Sequence, residues 1–405
     1  MSPRRALTRP CWENPLPIYV LKGPAVKCGI HLPGLERPGR FDYAGRMKKR
    51  VFNFAAGPAT LPHEVLEASA AALLDYQGKG FGIAECSHRG KEFDGVLDET
   101  IARCRSLLSI PDTHDVLFLQ GGATQQFALI PMNFLSGPAD YVVSGEWSKK
   151  AADVAKSLAS DKVRVIASSD ATAFDRLPAP ISADPGAAYL HICSNETVHG
   201  NRFVEWPSHP TLMVDASSEI MSRPHPVART GVIYAGAQKN LGPSGVVLMI
   251  VRKDLYDRIP KSVPKIFNYK AHADAKSCLN TPPTFGIYVL LETFRWMERQ
   301  GGLAAIEKRN AEKAKLIYDA IDESGGYYKG TVSDKAVRSQ MNVTFKLPSD
   351  ELTDKFLKEA SAKDMLALKG YRTVGGIRAS IYNGMSVEGC QALATHMREF
   401  AQKNG

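Results

Sequence analysis

The amino-acid sequence predicts an α/β fold, with a large domain built on a mostly parallel sheet of about seven strands and a smaller C-terminal α/β domain. Short apolar runs alternate with segments of helical periodicity, which is typical of strands that crossover helices cover on both faces. The chain, at 405 residues, is also too long for one small hydrophobic core. The predicted strands are residues 115–120, 141–144, 163–167, 188–193, 212–214, 232–235 and 246–251.

The remaining elements follow in chain order. A helix is predicted from Pro62 to Tyr76, because proline suits the start of a helix and apolar residues recur there at helical spacing. Long helices are predicted over residues 284–323, interrupted at Gly301-Gly302. A strand–helix–strand–helix set is predicted at residues 341–347, 351–362, 377–382 and 387–403.

Residues 1–46 differ from the rest in composition. They hold eight Lys/Arg, three Asp/Glu and seven Pro, and they show no apolar core pattern. We expect a basic, proline-rich, disordered extension; a targeting segment and a start assigned too early, with Met47 as the true start, are the alternatives. The rest is predicted to divide into a large domain over 62–310 and a small domain formed by 47–61 and 311–405.

Charge and cysteine usage limit the partners. The formal net charge is +9, and residues 1–46 supply 8 − 3 = +5 of it, which leaves +4 for the other 359 residues. This weak balance predicts no nucleic-acid partner, and no apolar run approaches the roughly 18 residues of a membrane helix. The seven scattered cysteines lack metal-binding spacing. They favour a reducing compartment, the cytoplasm, and no structural metal.

Unusual residues stand at the ends of three predicted strands. The run TLMVDASS contains Asp215, GVIYAGAQK ends in Lys239, and VLFLQGGAT passes through Gly122 and Ala123 to Thr124. Taken singly, each has an ordinary explanation. The aspartate could cap a helix, the lysine could be a solvated charge, and the glycines could form a turn. Because ligands bind at the carboxyl ends of strands in open α/β sheets, together they suggest one ligand. A helix N-terminus suits a phosphate, an aspartate suits a protonated ring nitrogen, and a lysine can form a Schiff base, which predicts pyridoxal phosphate.

Several longer motifs carry a family resemblance. From about Val51 to Gly405 the chain resembles the phosphoserine aminotransferases, which are class V aminotransferases of pyridoxal-phosphate fold type I. The motifs are FNFAAGPATLP (52–62), SHRGKEF (87–93), SNETVHG (194–200), GVIYAGAQKNLGPSG (231–245), NTPPTF (280–285) and GGIRASIYN (375–383).

The resemblance implies roles around the cofactor. Lys239 would form the Schiff base and move the substrate's Cα proton, Asp215 would keep the pyridine nitrogen protonated, and Trp147 would stack on the ring. Thr197 would bind the phenolic oxygen. The phosphate would be held by Ala123, Thr124 and Gln238, and by Asn280 and Thr281 of a neighbouring subunit, so a homodimer with shared active sites is expected.

The resemblance also implies two anionic clamps for substrate. Arg378 would bind the α-carboxylate. His88 and Arg89 of the partner subunit, with Arg372 as a weaker candidate, would bind the distal phosphate or γ-carboxylate. The implied reaction moves an amino group from glutamate to 3-phosphohydroxypyruvate, giving 2-oxoglutarate and phosphoserine. A related use that forms 4-phosphohydroxythreonine for pyridoxal phosphate synthesis stays open.

The sequence departs from the family at a few positions. Many members have histidine where Tyr371 stands, several have arginine at the position of Thr124, and some have serine at that of Ala56. Tyrosine donates one hydrogen bond but brings no positive charge, so substrate preference is open. Two other classes of function remain. One is another class V activity, such as a different aminotransferase or a cysteine desulfurase, for which Cys278 is the residue to inspect. The other is a binding protein that has lost catalysis.

Overall fold

The structure, a computed structural model, describes residues 50–405. The predicted extension over residues 1–46 lies outside this range. The strands within it are β1 (Phe52–Asn53), β2 (His114–Gly121), β3 (Ala139–Val143), β4 (Val163–Ser168), β5 (Leu190–Cys193), β6 (Leu212–Asp215), β7 (Val232–Gly236), β8 (Gly245–Arg252), β9 (Lys329–Gly330), β10 (Asn342–Lys346), β11 (Met365–Leu366) and β12 (Ile377–Ser380). The α-helices are α1 (His63–Leu74), α2 (Lys91–Leu108), α3 (Ala123–Phe134), α4 (Glu146–Leu158), α5 (Tyr269–Asp274), α6 (Thr284–Arg299), α7 (Gly302–Asp322), α8 (Asp350–Ala362) and α9 (Val387–Asn404).

The main sheet has seven strands in the order β2-β8-β7-β6-β5-β3-β4. Strand β8 pairs antiparallel with both of its neighbours, and the other pairs are parallel. The prediction of a mostly parallel, seven-stranded sheet is therefore confirmed. Each predicted strand matches one of these strands, with ends that differ by at most two residues.

Helices cover both faces of this sheet, and side chains alternate between the two faces. In β2, Val116 and Phe118 belong to the core under α1, α2 and α6, whereas Leu117 and Leu119 belong to the core under α3 and α4. Neighbouring residues of a strand point to opposite faces, so a strand buried on both sides has a continuous apolar sequence. This burial is the reason that the strands could be read as uninterrupted apolar runs.

Local sequence explains where several helices begin and end. The helix predicted from Pro62 begins one residue later, at His63, and Pro62 is the residue immediately before it. Gly301 has a φ of +93°, a left-handed conformation that suits glycine, and it separates α6 from α7 as the sequence predicts. Ser349 and Ser386 cap α8 and α9 by accepting hydrogen bonds from the N–H groups of Leu352 and Gly389.

A third core cluster lies among the C-terminal elements. It combines Phe54 with buried residues between Ala314 and Phe400. Strands β9, β10 and β12 form a separate antiparallel sheet there, and β1 pairs with β11 across more than 300 residues of chain. This cluster supports the proposal of a small domain built from both ends of the described chain. The proposed boundaries at 62 and 310 stay a prediction.

Among the described helices, none is both long and apolar enough to span a bilayer.

Candidate active site

A cleft lies at the edge of the main sheet where its parallel strands end. The space not filled by protein atoms, part of which is open to solvent, is about 480 Å³. The lining comes from segments that follow β2, β3, β5, β6 and β7, because parallel strands bring their carboxyl ends to one edge. The lining residues are Gly122, Ala123, Thr124, Phe127, Trp147, Cys193, Asn195, Thr197, Asp215, Ser217, Ser218, Gln238 and Lys239.

Lys239 places its amine inside this cleft. Strand β7 is buried throughout, and the chain then turns so that the N–H groups of Leu241 and Gly242 donate to the Ala237 carbonyl. Lys239 Nζ donates to Thr197 Oγ1 at 2.7 Å and lies 5.6 Å from the centre of the Trp147 ring. The side chain is only 9% exposed. The turn lets β8 re-enter the sheet antiparallel without covering the amine.

Asp215 ends β6 and faces the same cleft. Its Oδ1 accepts two hydrogen bonds, from the Ser217 N–H at 2.9 Å and from Ser217 Oγ at 2.6 Å. The bond to the residue two positions on is an Asx-turn, and a turn rather than a helix follows. Burial raises the pKa of the Asp215 carboxyl, and the nearby charge of Lys239 opposes that rise. No described residue donates to Oδ2, so this oxygen can accept a donor from a ligand.

The start of α3 forms a cradle for an anion on another wall of the cleft. Ala123 and Thr124 are the first two residues of the helix, and no side chain caps it. The first N–H groups of a helix have no partners within the helix and carry its partial positive charge. A phosphate suits such a position, and Gln238 lines the same space.

A buried glutamate holds the segment that carries Trp147. The Glu196 carboxylate accepts hydrogen bonds from the Trp147 N–H at 3.0 Å, the Ser148 N–H at 2.8 Å and Ser148 Oγ at 2.6 Å. A Cβ on Gly145 would lie 2.5 Å from the Glu196 carboxyl carbon, so glycine is required for this approach. Burial raises the pKa of Glu196, and the Ser148 hydrogen bonds oppose the rise. Trp147 Nε1 is buried without a partner, which leaves a donor for a ligand.

Two of the predicted arginines lie in the C-terminal part of the chain. Arg378, on β12, is partly buried and forms no ion pair with any described carboxylate. Its guanidinium carbon lies 5.9 Å from the centre of the Tyr371 ring. Burial lowers the pKa of Arg378. Arg372, in the loop between β11 and β12, is exposed. The structure therefore leaves a desolvated positive charge that a substrate carboxylate could neutralise.

Besides Arg372 and Arg378, four further predicted residues do not line the cleft of their own chain. His88 and Arg89 lie just before α2, and Arg89 is exposed. Asn280 and Thr281 lie just before α6, beside the end of β2, where Asn280 Nδ2 donates to Gln120 Oε1 at 3.1 Å and Gln120 Nε2 donates to the Thr281 carbonyl. Their predicted roles required a neighbouring subunit, and those roles stay predictions.

The cysteines do not favour a thiolate nucleophile. Cys193 lines the cleft, but burial raises the pKa of its thiol well above the usual value. Cys278 does not line the cleft, and burial raises its thiol pKa as well. A cysteine nucleophile needs a lowered pKa and access, so the desulfurase alternative gains no support. In residues 50–405 no cluster of His, Cys, Asp and Glu is arranged to hold a metal.

Sequence reasoning missed the residues that support the site. Ser217 fixes the Asp215 carboxylate and Glu196 fixes the Trp147 segment, yet neither was singled out. Glu196 stands within SNETVHG and Ser217 within VDASS. The Asp-x-Ser spacing is a recognisable turn signal, whereas nothing local in the sequence indicates that Glu196 reaches α4.

Known proteins are similar to this chain in both sequence and fold. The family model for class-V aminotransferases matches residues 51–393. The phosphoserine aminotransferase of Aromatoleum aromaticum is 50% identical over 366 residues, covering 88% of this chain and 100% of that protein. The solved phosphoserine aminotransferase of Bacillus circulans subsp. alkalophilus is 47% identical with a TM-score of 0.86, covering 88% and 100%. A pyridoxal-phosphate-bound phosphoserine aminotransferase from Trichomonas vaginalis is 38% identical with a TM-score of 0.82, covering 86% and 100%.

A seven-stranded α/β sheet with a lysine, an aspartate and a helix N-terminus around one cleft defines a pyridoxal-phosphate enzyme of the aminotransferase fold. The sequence identities and the coverage of the relatives also specify the family. The chain belongs to the class-V aminotransferases and, within them, to the phosphoserine aminotransferase family.

Proposed function

We propose that this chain is a pyridoxal-phosphate-dependent transaminase that moves the amino group of glutamate to 3-phosphohydroxypyruvate. The products are 2-oxoglutarate and phosphoserine, on the route to serine. The observation that carries the proposal is the joint placement of Lys239, Asp215 and the start of α3 around one cleft. The relatives that match nearly their full length support the choice of substrates.

The residues of the cleft fit pyridoxal phosphate, because each chemical group of the cofactor meets a suitable partner. The unpaired oxygen of Asp215 suits the ring nitrogen, Lys239 the aldehyde carbon and Thr197 the phenolic oxygen. The phosphate suits Ala123, Thr124 and Gln238, and Trp147 provides a ring face. When bound, the cofactor supplies an electron-withdrawing ring and the carbon that carries the amino group between half-reactions.

The protein's own side chains then do four tasks. Lys239 Nζ removes the substrate's Cα proton, with Thr197 Oγ1 holding the amine in place. The Asp215 carboxylate, oriented by its two hydrogen bonds from Ser217, would stabilise a proton on the ring nitrogen that faces it. Arg378 binds the α-carboxylate common to both amino acids. The Trp147 ring and the buried wall around Thr197 exclude water.

We further propose that the enzyme works as a homodimer with shared sites. His88, Arg89, Asn280 and Thr281 do not line the cleft of their own chain, and Arg89 is an exposed cation with no described carboxylate partner. A partner subunit that brings His88 and Arg89 to the cleft would supply the clamp for the distal phosphate or γ-carboxylate. Asn280 and Thr281 would add donors for the cofactor phosphate.

Two finer points belong to the same proposal. A cytoplasmic location fits the five free cysteines of the described chain, since free thiols persist in reducing compartments. A second use, forming 4-phosphohydroxythreonine on the route to pyridoxal phosphate, fits a site that binds an α-carboxylate and a phosphate together.

The test is an absorbance spectrum of the purified protein with pyridoxal phosphate, followed by product analysis. Glutamate should shift a band from about 400 nm toward about 330 nm, and 3-phosphohydroxypyruvate should restore it and release phosphoserine. A response to cysteine but not to glutamate would favour a desulfurase. Bound cofactor without glutamate-dependent phosphoserine formation would contradict the proposal.

A further inference from the structure

Lys313 is a fully buried lysine that binds main-chain oxygens instead of a carboxylate. It lies on α7, and its side chain is 0% exposed. Its Nζ donates to three carbonyls, those of Ile381 at 2.9 Å, Tyr382 at 2.8 Å and Met385 at 3.1 Å. Among the described residues no carboxylate acts on its charge. An ammonium has three N–H donors, so each donor has one carbonyl.

The buried charge of Lys313 is unfavourable for stability. Burial lowers its pKa to about 7, from an ordinary value of 10.5; Cys390 of α9 opposes this shift, and Arg309 of α7 adds to it. Because the folded value lies below the unfolded one, the cost is full below pH 7 and fades as the pH rises toward 10.5. Stability of the fold alone therefore does not explain this ammonium.

The carbonyls that bind Lys313 belong to one tight turn, residues 381–385, directly after β12. The Met385 N–H donates to the Tyr382 carbonyl and closes this turn. Arg378 lies on β12, three residues before the turn begins. Contacts that hold the 381–385 turn therefore also hold the end of the strand that carries Arg378.

The 381–385 turn also contacts the residue next to Lys239. The Asn383 N–H donates to Asn240 Oδ1 at 3.0 Å, and Asn240 directly follows Lys239. Asn310, three residues before Lys313 on α7, donates to Asn383 Oδ1 at 2.9 Å. The turn is thus held by α7 on one side and by the segment that carries Lys239 on the other.

We propose that Lys313 is a positioning residue for proton transfer: it fixes the 381–385 turn, and this turn sets the spacing between Arg378 and Lys239. A substrate whose carboxylate is bound by Arg378 must present its Cα proton to Lys239 Nζ. Lys313 does not line the cleft, so it acts only through these two residues. This inference rests on the proposed transaminase function and adds a positioning residue to it.

Lys313→Met tests the role of the three donors. Methionine is unbranched like lysine, and we expect the variant to fold because the desolvated charge is removed, although three carbonyls lose this donor. In the glutamate half-reaction of the holoenzyme, followed by absorbance, the maximal rate should fall about ten- to hundredfold. The half-saturating glutamate concentration should change by about twofold at most. The isotope effect with Cα-deuterated glutamate should increase, because proton transfer is the step that slows.

Two controls separate positioning from a general loss of stability. Lys315→Met replaces an exposed lysine of the same helix, paired with Asp319, and should behave as the wild type. Tyr328→Phe removes a buried hydrogen bond to the Met397 carbonyl and should lower Tm without slowing the half-reaction. If Lys313→Met reacts within about twofold of the wild type, or if Tyr328→Phe slows the half-reaction as much, the inference is overturned.

An Arg378→Ala background tests whether Lys313 acts through the spacing. Without the guanidinium the carboxylate is no longer held, so adding Lys313→Met should slow the reaction by less than about threefold. The full loss in that background would overturn the inference, because the effects of independent residues multiply. If Lys313→Met fails to fold, Asn240→Ala, which removes the acceptor for Asn383, should also slow the half-reaction, and a wild-type rate would overturn the inference.

Hydrogen exchange of the holoenzyme gives a readout that does not depend on turnover. In Lys313→Met the amides of the 381–385 turn should exchange faster, and so should those of Leu241 and Gly242, which close the turn after Lys239. Unchanged exchange at residues 241–242 would overturn the inference whatever the substrate is. If the wild type forms no phosphoserine while exchange and the glutamate half-reaction depend on Lys313, the proposed function fails and the positioning role stands.

Discussion

The two halves of the candidate site are built in different ways. The cofactor half, formed by Asp215, Ser217, Thr197 and Lys239, is buried and joined by short hydrogen bonds within one chain. The basic residues of the anion half are more exposed, and Arg378 has no described carboxylate partner. The side chains of the first half are already held by hydrogen bonds within the chain, whereas the cations of the second half await a counter-charge.

This difference follows from what each half must bind. Groups that bind a resident cofactor are most effective when the fold already holds them in place, because ordering them at each turnover would cost free energy. Substrates that enter and leave need cations that are not neutralised by the protein itself. Substitutions in one half should therefore act mainly on turnover, and substitutions in the other mainly on substrate binding.

Asp215→Asn tests the cofactor half and should have the largest effect. An amide cannot stabilise a protonated ring nitrogen as a carboxylate does, so kcat should fall by about 10²- to 10³-fold. Without cofactor, the variant should unfold at the same temperature or higher, because burial disfavours the charged carboxylate. Ser217→Ala removes one donor to Asp215, so its kcat should lie between those of Asp215→Asn and the wild type. A wild-type kcat in Asp215→Asn would contradict the assigned role.

Arg378→Lys tests the anion half and should act mainly on binding. Lysine keeps the charge but loses the planar fork, so KM for glutamate should rise about tenfold or more. The change in kcat should be smaller, because the reacting groups lie in the other half. The control is Arg372→Lys at an exposed position, where we expect about a two- to threefold change. Equal effects of the two substitutions would mean that Arg378 has no special part in the clamp.

Acid should destabilise the folded chain through two buried histidines, His191 in β5 and His199 in the segment that follows it. Burial lowers the pKa of His191 to about 3 and that of His199 to about 4. An unfolded histidine has a pKa of about 6.5, so this stabilisation is present above pH 6.5 and is lost as pH falls toward the folded values. Each histidine should contribute a slope of up to about 1.4 kcal/mol per pH unit in that window.

Urea unfolding between pH 7 and pH 4.5 measures this slope. His191→Asn should make the decline shallower, whereas His63→Asn, on the exposed side of α1, should leave it unchanged. An identical decline in both variants would show that His191 does not link protons to folding.

The sheet was predictable because its strands are buried on both faces. Apolar runs such as 246–251 need no distant information to be recognised. Strand ends were predictable too, and they brought Asp215, Lys239 and Thr124 to one cleft. Strands β1 and β11 escaped prediction, because each has two residues and its partner lies more than 300 residues away.

The supporting contacts of the site were not predictable either, because they also join residues that are far apart in the sequence. Glu196 reaches back to α4, and Lys313 reaches forward to the Met385 carbonyl across 72 residues. Neither contact leaves a periodic signal in the sequence, because each depends on how the elements pack. The roles of His88, Arg89, Asn280 and Thr281 depend on a second chain and stay predictions.

The most direct test of the division is to mix two inactive variants. Lys239→Ala disables the cofactor half, and Arg89→Ala disables the clamp that we assign to the partner subunit. Each variant alone should lose most of its activity, and co-refolded or co-expressed mixtures should regain it, since a mixed dimer would hold one site with both residues intact. The regained activity should approach half of the wild-type value per mixed dimer, with wild-type KM. If the mixture stays as inactive as its components, Arg89 does not act across a subunit interface, and the account of a site shared between chains is wrong.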